Sequence, residues 1–212
     1  MLKNLTIVGA AAAFLIASAP AAAATDTAPP TDRITVDVKT VNGSGCPRGT
    51  AAVTELADNT GFTVTYSDYL AEVGPAAAPT DFRKNCQISV LVHAPQGFTY
   101  AIAEADYRGH AHLEGGAAGL QQASYYFQGD SETLPVGHTL SGPYDGDWAT
   151  TDKADVATLV YKPCGEDRIL NINTELRVSA DGADAKKTSY LSMNTTRGAV
   201  NSLYRLRWKQ CP

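Results

Sequence analysis

Apolar and polar residues alternate with a period of two in short stretches along most of this chain, and this limits its fold more than any other feature. Ile34, Val36 and Val38 alternate with Thr35, Asp37 and Lys39, and Phe62, Val64 and Tyr66 with Thr63, Thr65 and Ser67. Ile88, Val90 and Val92 form the apolar side of a third stretch. Leu170, Ile172, Thr174, Leu176 and Val178 stand opposite Asn171, Asn173, Glu175 and Arg177. Tyr204, Leu206 and Trp208 stand opposite Arg205, Arg207 and Lys209. Successive side chains of a strand point to opposite faces, so each stretch reads as a strand with one buried and one wet face. No stretch keeps a helical apolar period over three turns. Turn chemistry separates the runs at Asn42-Gly43, Asp58-Asn59, Pro95-Gln96-Gly97, Gly115-Gly116, Asp145-Gly146 and Asp181-Gly182. Gly74–Thr80, with two prolines around three alanines, reads as an excursion loop. Gly129–Asp147 reads as a second long loop region that leaves room for a strand within Glu132–Leu140. The fold class expected is all-β: a two-layer antiparallel β-sandwich, jelly-roll-like.

Met1–Ala24 has the build of a secretory signal. Lys3 is its basic n-region, Leu5–Ala19 its apolar core, and Ala22-Ala23-Ala24 its small-residue cleavage pattern. The polar, proline-containing Thr25–Thr31 follows at once, which disfavours a membrane-spanning helix. The expected division is a signal peptide over 1–24, a flexible N-terminal segment over 25–32 and a single β-sandwich domain over 33–212. The product is expected to be secreted and extracellular, monomeric, and unattached to membrane after cleavage. Its net charge of −5 offers no general attraction to nucleic acid or anionic lipid.

Four cysteines in a secreted chain call for two disulfides. Cys46–Cys86 with Cys164–Cys211 is the favoured connectivity, because each bridge then ties one half of the chain to itself. No C-x-x-C spacing points to zinc, and no cofactor is expected.

The sharpest local pattern is Glu104–Glu114. Glu104, Asp106, Arg108, His110, His112 and Glu114 share one side of a strand. His110 and His112 can reach a common metal with Glu114 or Asp106 as oxygen ligands. A solvated face of mixed charge explains the same stripe, and it accounts for Arg108, which would repel a metal ion. Asp145-Gly146-Asp147, with Asp152 and Asp155, can supply oxygens to calcium, but its spacing is not that of an EF-hand and an ordinary acidic turn near Trp148 is the better explanation. Tyr125, Tyr126 and Phe127, and Tyr144 with Trp148, offer rings for stacking on sugars; Tyr125 and Phe127 share one face and Tyr126 takes the other. Glu104 with Asp106, or Glu175 across a strand, is a carboxylate pair of glycosidase type, with charge pairing to Arg205, Arg207 and Lys209 as the simpler role. There is no Gly-x-Ser-x-Gly elbow, His-Glu-x-x-His helix or P-loop.

Several strings together resemble one known family: VNGSGCPRGTAAV from Val41, FTVTYSDYLA from Phe62, DFRKNCQ from Asp81, GFTYAIAEADYRG from Gly97, ASYYFQGD from Ala123, LVYKPCG from Leu159, LNINTELRV from Leu170 and YRLRWKQC from Tyr204. The chain is similar over about Ile34–Cys211 to the secreted bacterial and fungal family known as domain of unknown function 4360. The resemblance implies a small secreted β-rich protein carrying these cysteines, and it brings no activity, ligand or catalytic residue. Positions 110 and 112 are not regularly histidine in that family.

The function expected is that of a secreted non-catalytic binding or surface-interaction protein. Its partner would be an extracellular polysaccharide, cell wall or protein, with Tyr125, Tyr126, Tyr144 and Trp148 as the ligand-binding residues. The alternatives are a secreted hydrolase using carboxylates in an unrecognised arrangement, and a protease inhibitor or effector acting through a loop such as Gly74–Thr80.

Overall fold

The structure is a computed structural model that describes residues 28–131, 133–155, 158–193 and 202–212. The signal expected over Met1–Ala24 lies outside the described residues. Among the described residues twelve strands follow one another: β1 (Thr35–Asn42), β2 (Ala51–Glu55), β3 (Gly61–Tyr66), β4 (Leu70–Val73), β5 (Arg83–His93), β6 (Phe98–Leu113), β7 (Ala118–Phe127), β8 (Val136–Ser141), β9 (Tyr144–Lys153), β10 (Leu170–Ser179), β11 (Ser189–Ser192) and β12 (Ser202–Gln210). They form two antiparallel sheets packed as a sandwich. One has five strands in the order β1-β5-β10-β7-β8, and the other has seven, built around the long β6. Along β6, β9 pairs with residues 104–113, while β12 and then β11 share the opposite edge.

The expected alternation sorts residues as predicted in the central strands. Leu170, Ile172, Thr174, Leu176 and Val178 of β10 and Tyr204, Leu206 and Trp208 of β12 are all buried between the sheets. Phe62 stacks on Tyr204 at 5.1 Å, and Tyr100 and Phe98 pack on Trp208 at 5.8 and 6.4 Å. The pattern weakens in β1, an edge strand. Val38, still in register with Val90, is 44% exposed at this edge, and a register shift between Val38 and Thr40 follows it, so that Val41 pairs with Ile88. A bulge adds one residue and so breaks the period of two.

Asn59, in the left-handed region at φ 59°, is the turn residue expected between β2 and β3. Its Oδ1 accepts from Ile34 N (3.1 Å), and its Nδ2 donates to the carbonyls of Pro30 (2.7 Å) and Asp32 (3.0 Å). Its own carbonyl accepts from Trp208 Nε1 at 2.8 Å. One side chain thereby anchors the entry to β1 against the core.

Asp145-Gly146 is not a turn. Both residues lie inside β9, paired with His112 and Ala111 of β6. A ten-residue ladder to β6 outweighs the local turn preference of Asp-Gly. The strand allowed for within Glu132–Leu140 is β8, and Glu132 itself lies outside the described residues. Gly109 of β6 is required by close approach. A Cβ there would meet the Ser192 carbonyl oxygen at 1.8 Å and the Trp148 ring at 2.6 Å.

The disulfides join Cys46 to Cys86 and Cys164 to Cys211, the expected connectivity. The first ties the β1–β2 connection to β5, and the second ties the segment before β10 to the C-terminus. With sequence separations of 40 and 47, each closure contributes about 4 kcal/mol in the chain-entropy picture.

Candidate binding face on the five-stranded sheet

The outward side chains of β5, β10 and β7 fall into register as cross-strand rows. Ser89, Asn171 and Tyr126 form one row; Gln87, Asn173 and Ser124 the next; Asn85, Glu175 and Gln122 a third. Arg83 and Arg177 close the series at one end. These positions read as the wet sides of strands, yet the structure buries several of them: Asn171 is 8% exposed, Ser89 7%, Ser124 3% and Glu175 6%. With Pro135 at the rim, the lower three rows enclose a polar trough of about 310 Å3.

Buried polar groups need partners, and neighbouring side chains supply several of them here. Ser89 Oγ donates to Asn171 Oδ1 at 2.7 Å, and Gln87 Nε2 donates to the Tyr126 hydroxyl at 3.3 Å. Asn85 is held from the β1–β2 connection: Ser44 Oγ donates to its Oδ1 at 3.0 Å. Glu175 receives Arg83 Nε on Oε2 (2.6 Å), with Arg83 Nη2 on the same oxygen. Arg177 Nη2 (2.5 Å) and Gln122 Nε2 (3.3 Å) donate to its Oε1. The carboxylate in turn holds the Arg83 guanidinium above its ordinary pKa.

The four rings proposed from sequence do not come together. Tyr126 alone borders this lattice. Tyr125 turns inward, donating from its hydroxyl to Asp152 Oδ2 at 2.8 Å and meeting the Tyr107 hydroxyl. Tyr144 packs on the core at the far end of the other sheet and donates to the Asp147 carbonyl at 2.7 Å. Trp148 is 5% exposed beneath Gly109, so it is a core residue and offers no ring to a ligand. Its place in the sequence beside an apparent acidic turn hid this, because that turn is strand.

Glu175 lies in the five-stranded sheet and so cannot pair with Arg205 and its neighbours on β12. Glu104 and Asp106 do: Arg205 Nε reaches Glu104 at 3.2 Å and Arg205 Nη2 reaches Asp106 at 3.6 Å, with Lys153 on Glu104 at 3.1 Å. His110 and His112 share the outer face of the seven-stranded sheet, as expected. His110 Nδ1 lies 3.0 Å from Asp147, and His112 lies 3.4 Å from Glu114 and 3.5 Å from Asp145. Both rings lie against Tyr190, at 6.1 and 5.9 Å. Among the described residues no group of three or more His, Cys, Asp or Glu side chains is placed to hold a metal ion. Asp152 and Asp145 sit at opposite ends of β9, so the calcium set is dispersed.

A polar bridge that sequence reasoning missed joins the two sheets. His138 Nε2 of β8 meets Asp152 Oδ1 of β9 at 2.6 Å, and Asp152 Oδ2 accepts from Tyr125 of β7. Burial pushes the Tyr125 and Tyr107 hydroxyls well above their ordinary pKa, so they stay protonated donors. The bridge floors a second hollow of about 330 Å3, bordered by Ile102, Leu134, Val136 and Glu104. Both Asp152 oxygens are already engaged there, as is Glu104 by Lys153 and Arg205. No residue spacing announces this bridge, since its members come from three strands.

A disulfide-bonded antiparallel sandwich with a polar trough on one sheet face is the class of protein defined here. By sequence the chain belongs to the family described as domain of unknown function DUF4360, which it matches over residues 32–211. It is 34% identical over 184 residues to an uncharacterized secreted protein of the fungus Arthroderma benhamiae, covering 87% of this chain and 74% of the relative. The protein is secreted. Among solved structures it is similar to the enzymatically active domain of bacteriophage CBA120 tailspike protein 4, at 10% identity and a TM-score of 0.26 over 84% of this chain and 19% of that one. It is also similar to a family 11 carbohydrate-binding module from Clostridium thermocellum, at 8% identity and a TM-score of 0.22 over 81% and 88%. Values this low do not imply a shared fold.

Proposed function

We propose that this secreted protein is a non-catalytic binding module whose ligand, an extracellular polysaccharide, lies along the trough of the five-stranded sheet. The observation that carries the reading is the lattice itself: registered rows of amide and hydroxyl groups that run from the trough to Tyr126, with Gln87 bonded to Tyr126 and Ser89 to Asn171. Asn and Gln side chains offer both donors and acceptors, which suits sugar hydroxyls that do the same. Held in place on a rigid sheet, they lose little freedom on binding. Among the described residues the trough has one carboxylate, Glu175, with guanidinium donors on both its oxygens and an amide donor on Oε1. Glycoside hydrolysis ordinarily needs a pair of carboxyl groups roughly 5–9.5 Å apart, one of them free to give up a proton.

The test is retention of the mature protein on insoluble chitin, cellulose and peptidoglycan, with released reducing sugar measured on the same samples. Retention that drops at least about fivefold in the double variant Gln87→Ala/Gln122→Ala, with no sugar released, supports the module; two lost hydrogen bonds account for a change of this size. Sugar release by the wild type would replace this reading with the hydrolase. Retention on none of the polymers would turn attention to a protein partner and to the Gly74–Thr80 turn.

A further inference from the structure

Charge is arranged differently on the two sheets. On the outer face of the seven-stranded sheet, Glu104, Asp106 and Glu114 are matched by Lys153, Arg205 and Lys187, with Asp145 and Asp147 beside His112 and His110. The trough of the five-stranded sheet has Glu175 between Arg83 and Arg177, so one negative charge meets two positive ones. The other polar groups lining it, Asn85, Gln87, Gln122, Ser124 and Asn173, are neutral. In a chain of net charge −5, this end of the trough is locally cationic.

The Arg83 geometry adds to the charge. Its Nε and Nη2 both engage Glu175 Oε2, so one edge of the planar guanidinium is pinned to a side chain that is only 8% exposed. A guanidinium has five N–H donors, and the edge turned away from Glu175 keeps donors of its own. The Arg83 side chain is 54% exposed and lines the trough. A pinned, planar, permanently charged donor matches the two oxygens of a carboxylate better than it matches a hydroxyl.

We propose that the Arg83 end of the trough selects a carboxylated polysaccharide, a polymer of uronate type whose acid group meets the free edge of that guanidinium. This rests on the trough being the binding face. The neutral rows beyond Arg83 then contact the hydroxyls of neighbouring sugar units, while Glu175 orients Arg83 without itself touching the ligand.

The experiment compares polygalacturonate with its fully methyl-esterified form, which differs in charge at the carboxyl group. Retardation of the mature protein is measured by affinity electrophoresis for each polymer. Wild-type protein should bind the acid form about tenfold more tightly, the scale of one charge-assisted contact. That preference should shrink as salt is raised. In Arg83→Gln the ratio should fall to near one, and Arg83→Lys should keep part of it, with thermal melts confirming that both variants are folded. The wild-type comparison stands without any variant. Equal binding of the two polymers, or a preference unchanged in folded Arg83→Gln, would overturn the acid selection and leave the trough reading in place. Retention of neither polymer here, together with none on the insoluble ones, would overturn both.

Discussion

The outer faces of the two sheets are both polar in sequence and have become different things. On the seven-stranded sheet, acids on β6 meet basic residues from β9, β12 and the segment before β11 in open pairs. Arg205 on Glu104 and Lys187 on Glu114 are half-exposed contacts at 3.2 and 3.0 Å. Such pairs contribute little, because water already solvates both partners. On the five-stranded sheet the polar residues are mostly amides and hydroxyls. They sit in a concave face, several of them with low exposure, and Ser89 with Asn171 and Gln87 with Tyr126 satisfy one another. Each bond there counts for more, since losing one strands a buried group. Solvation is what separates a charged coat from a site.

The largest break of that contrast should come from Glu175→Ala. It leaves Arg83 and Arg177 side by side with no shared carboxylate and strips Gln122 Nε2 of its acceptor. We expect a loss of about 2 kcal/mol in urea unfolding, below the range for fully buried ion pairs because both guanidinium groups reach solvent. An unchanged midpoint would mean that the trough is as well solvated as the opposite face. Next in size is Asn171→Ala, which removes the acceptor for the buried Ser89 hydroxyl. About 1 kcal/mol should be lost by the same measurement.

The double variant His110→Gln/His112→Gln probes the other face. It should shift stability by under about 1 kcal/mol, as expected of surface positions. Micromolar zinc or nickel binding to the wild type, absent from the double variant, would show that this face holds a site after all. The smallest effect concerns pH. Lys187 beside Glu114 lowers the Glu114 pKa from its ordinary 4.5. A depressed folded value contributes stability above that ordinary pKa, and the contribution is lost as pH falls through the folded one. Acid unfolding of Glu114→Gln should therefore depend on pH slightly less than the wild type does below about 4.5. Equal slopes would mean that the pair is fully screened by solvent.

Much of the fold is legible in residue order because alternation is local. The apolar sides of β10 and β12 can be read directly from Leu170–Val178 and Tyr204–Trp208, and both go into the core. The cysteine pairing could be favoured from sequence because each bridge closes within one half of the chain. The polar nature of Asn171, Asn173 and Glu175 was equally plain.

What residue order left open depends on partners far away in the chain. Asp145-Gly146 has turn chemistry, and it becomes strand because β6 offers a ladder along its whole length. Trp148 and Tyr125 look like sugar platforms until β6, β8 and β9 enclose them. Glu175 reads as a surface acid, and it becomes the centre of a trough because β5 places Arg83 and Asn85 beside it from about ninety residues away. Sequence alone determined which side of each strand is polar, since that follows from backbone geometry within a few residues. Only the tertiary structure decided which polar side is enclosed, since enclosure depends on which strands become neighbours.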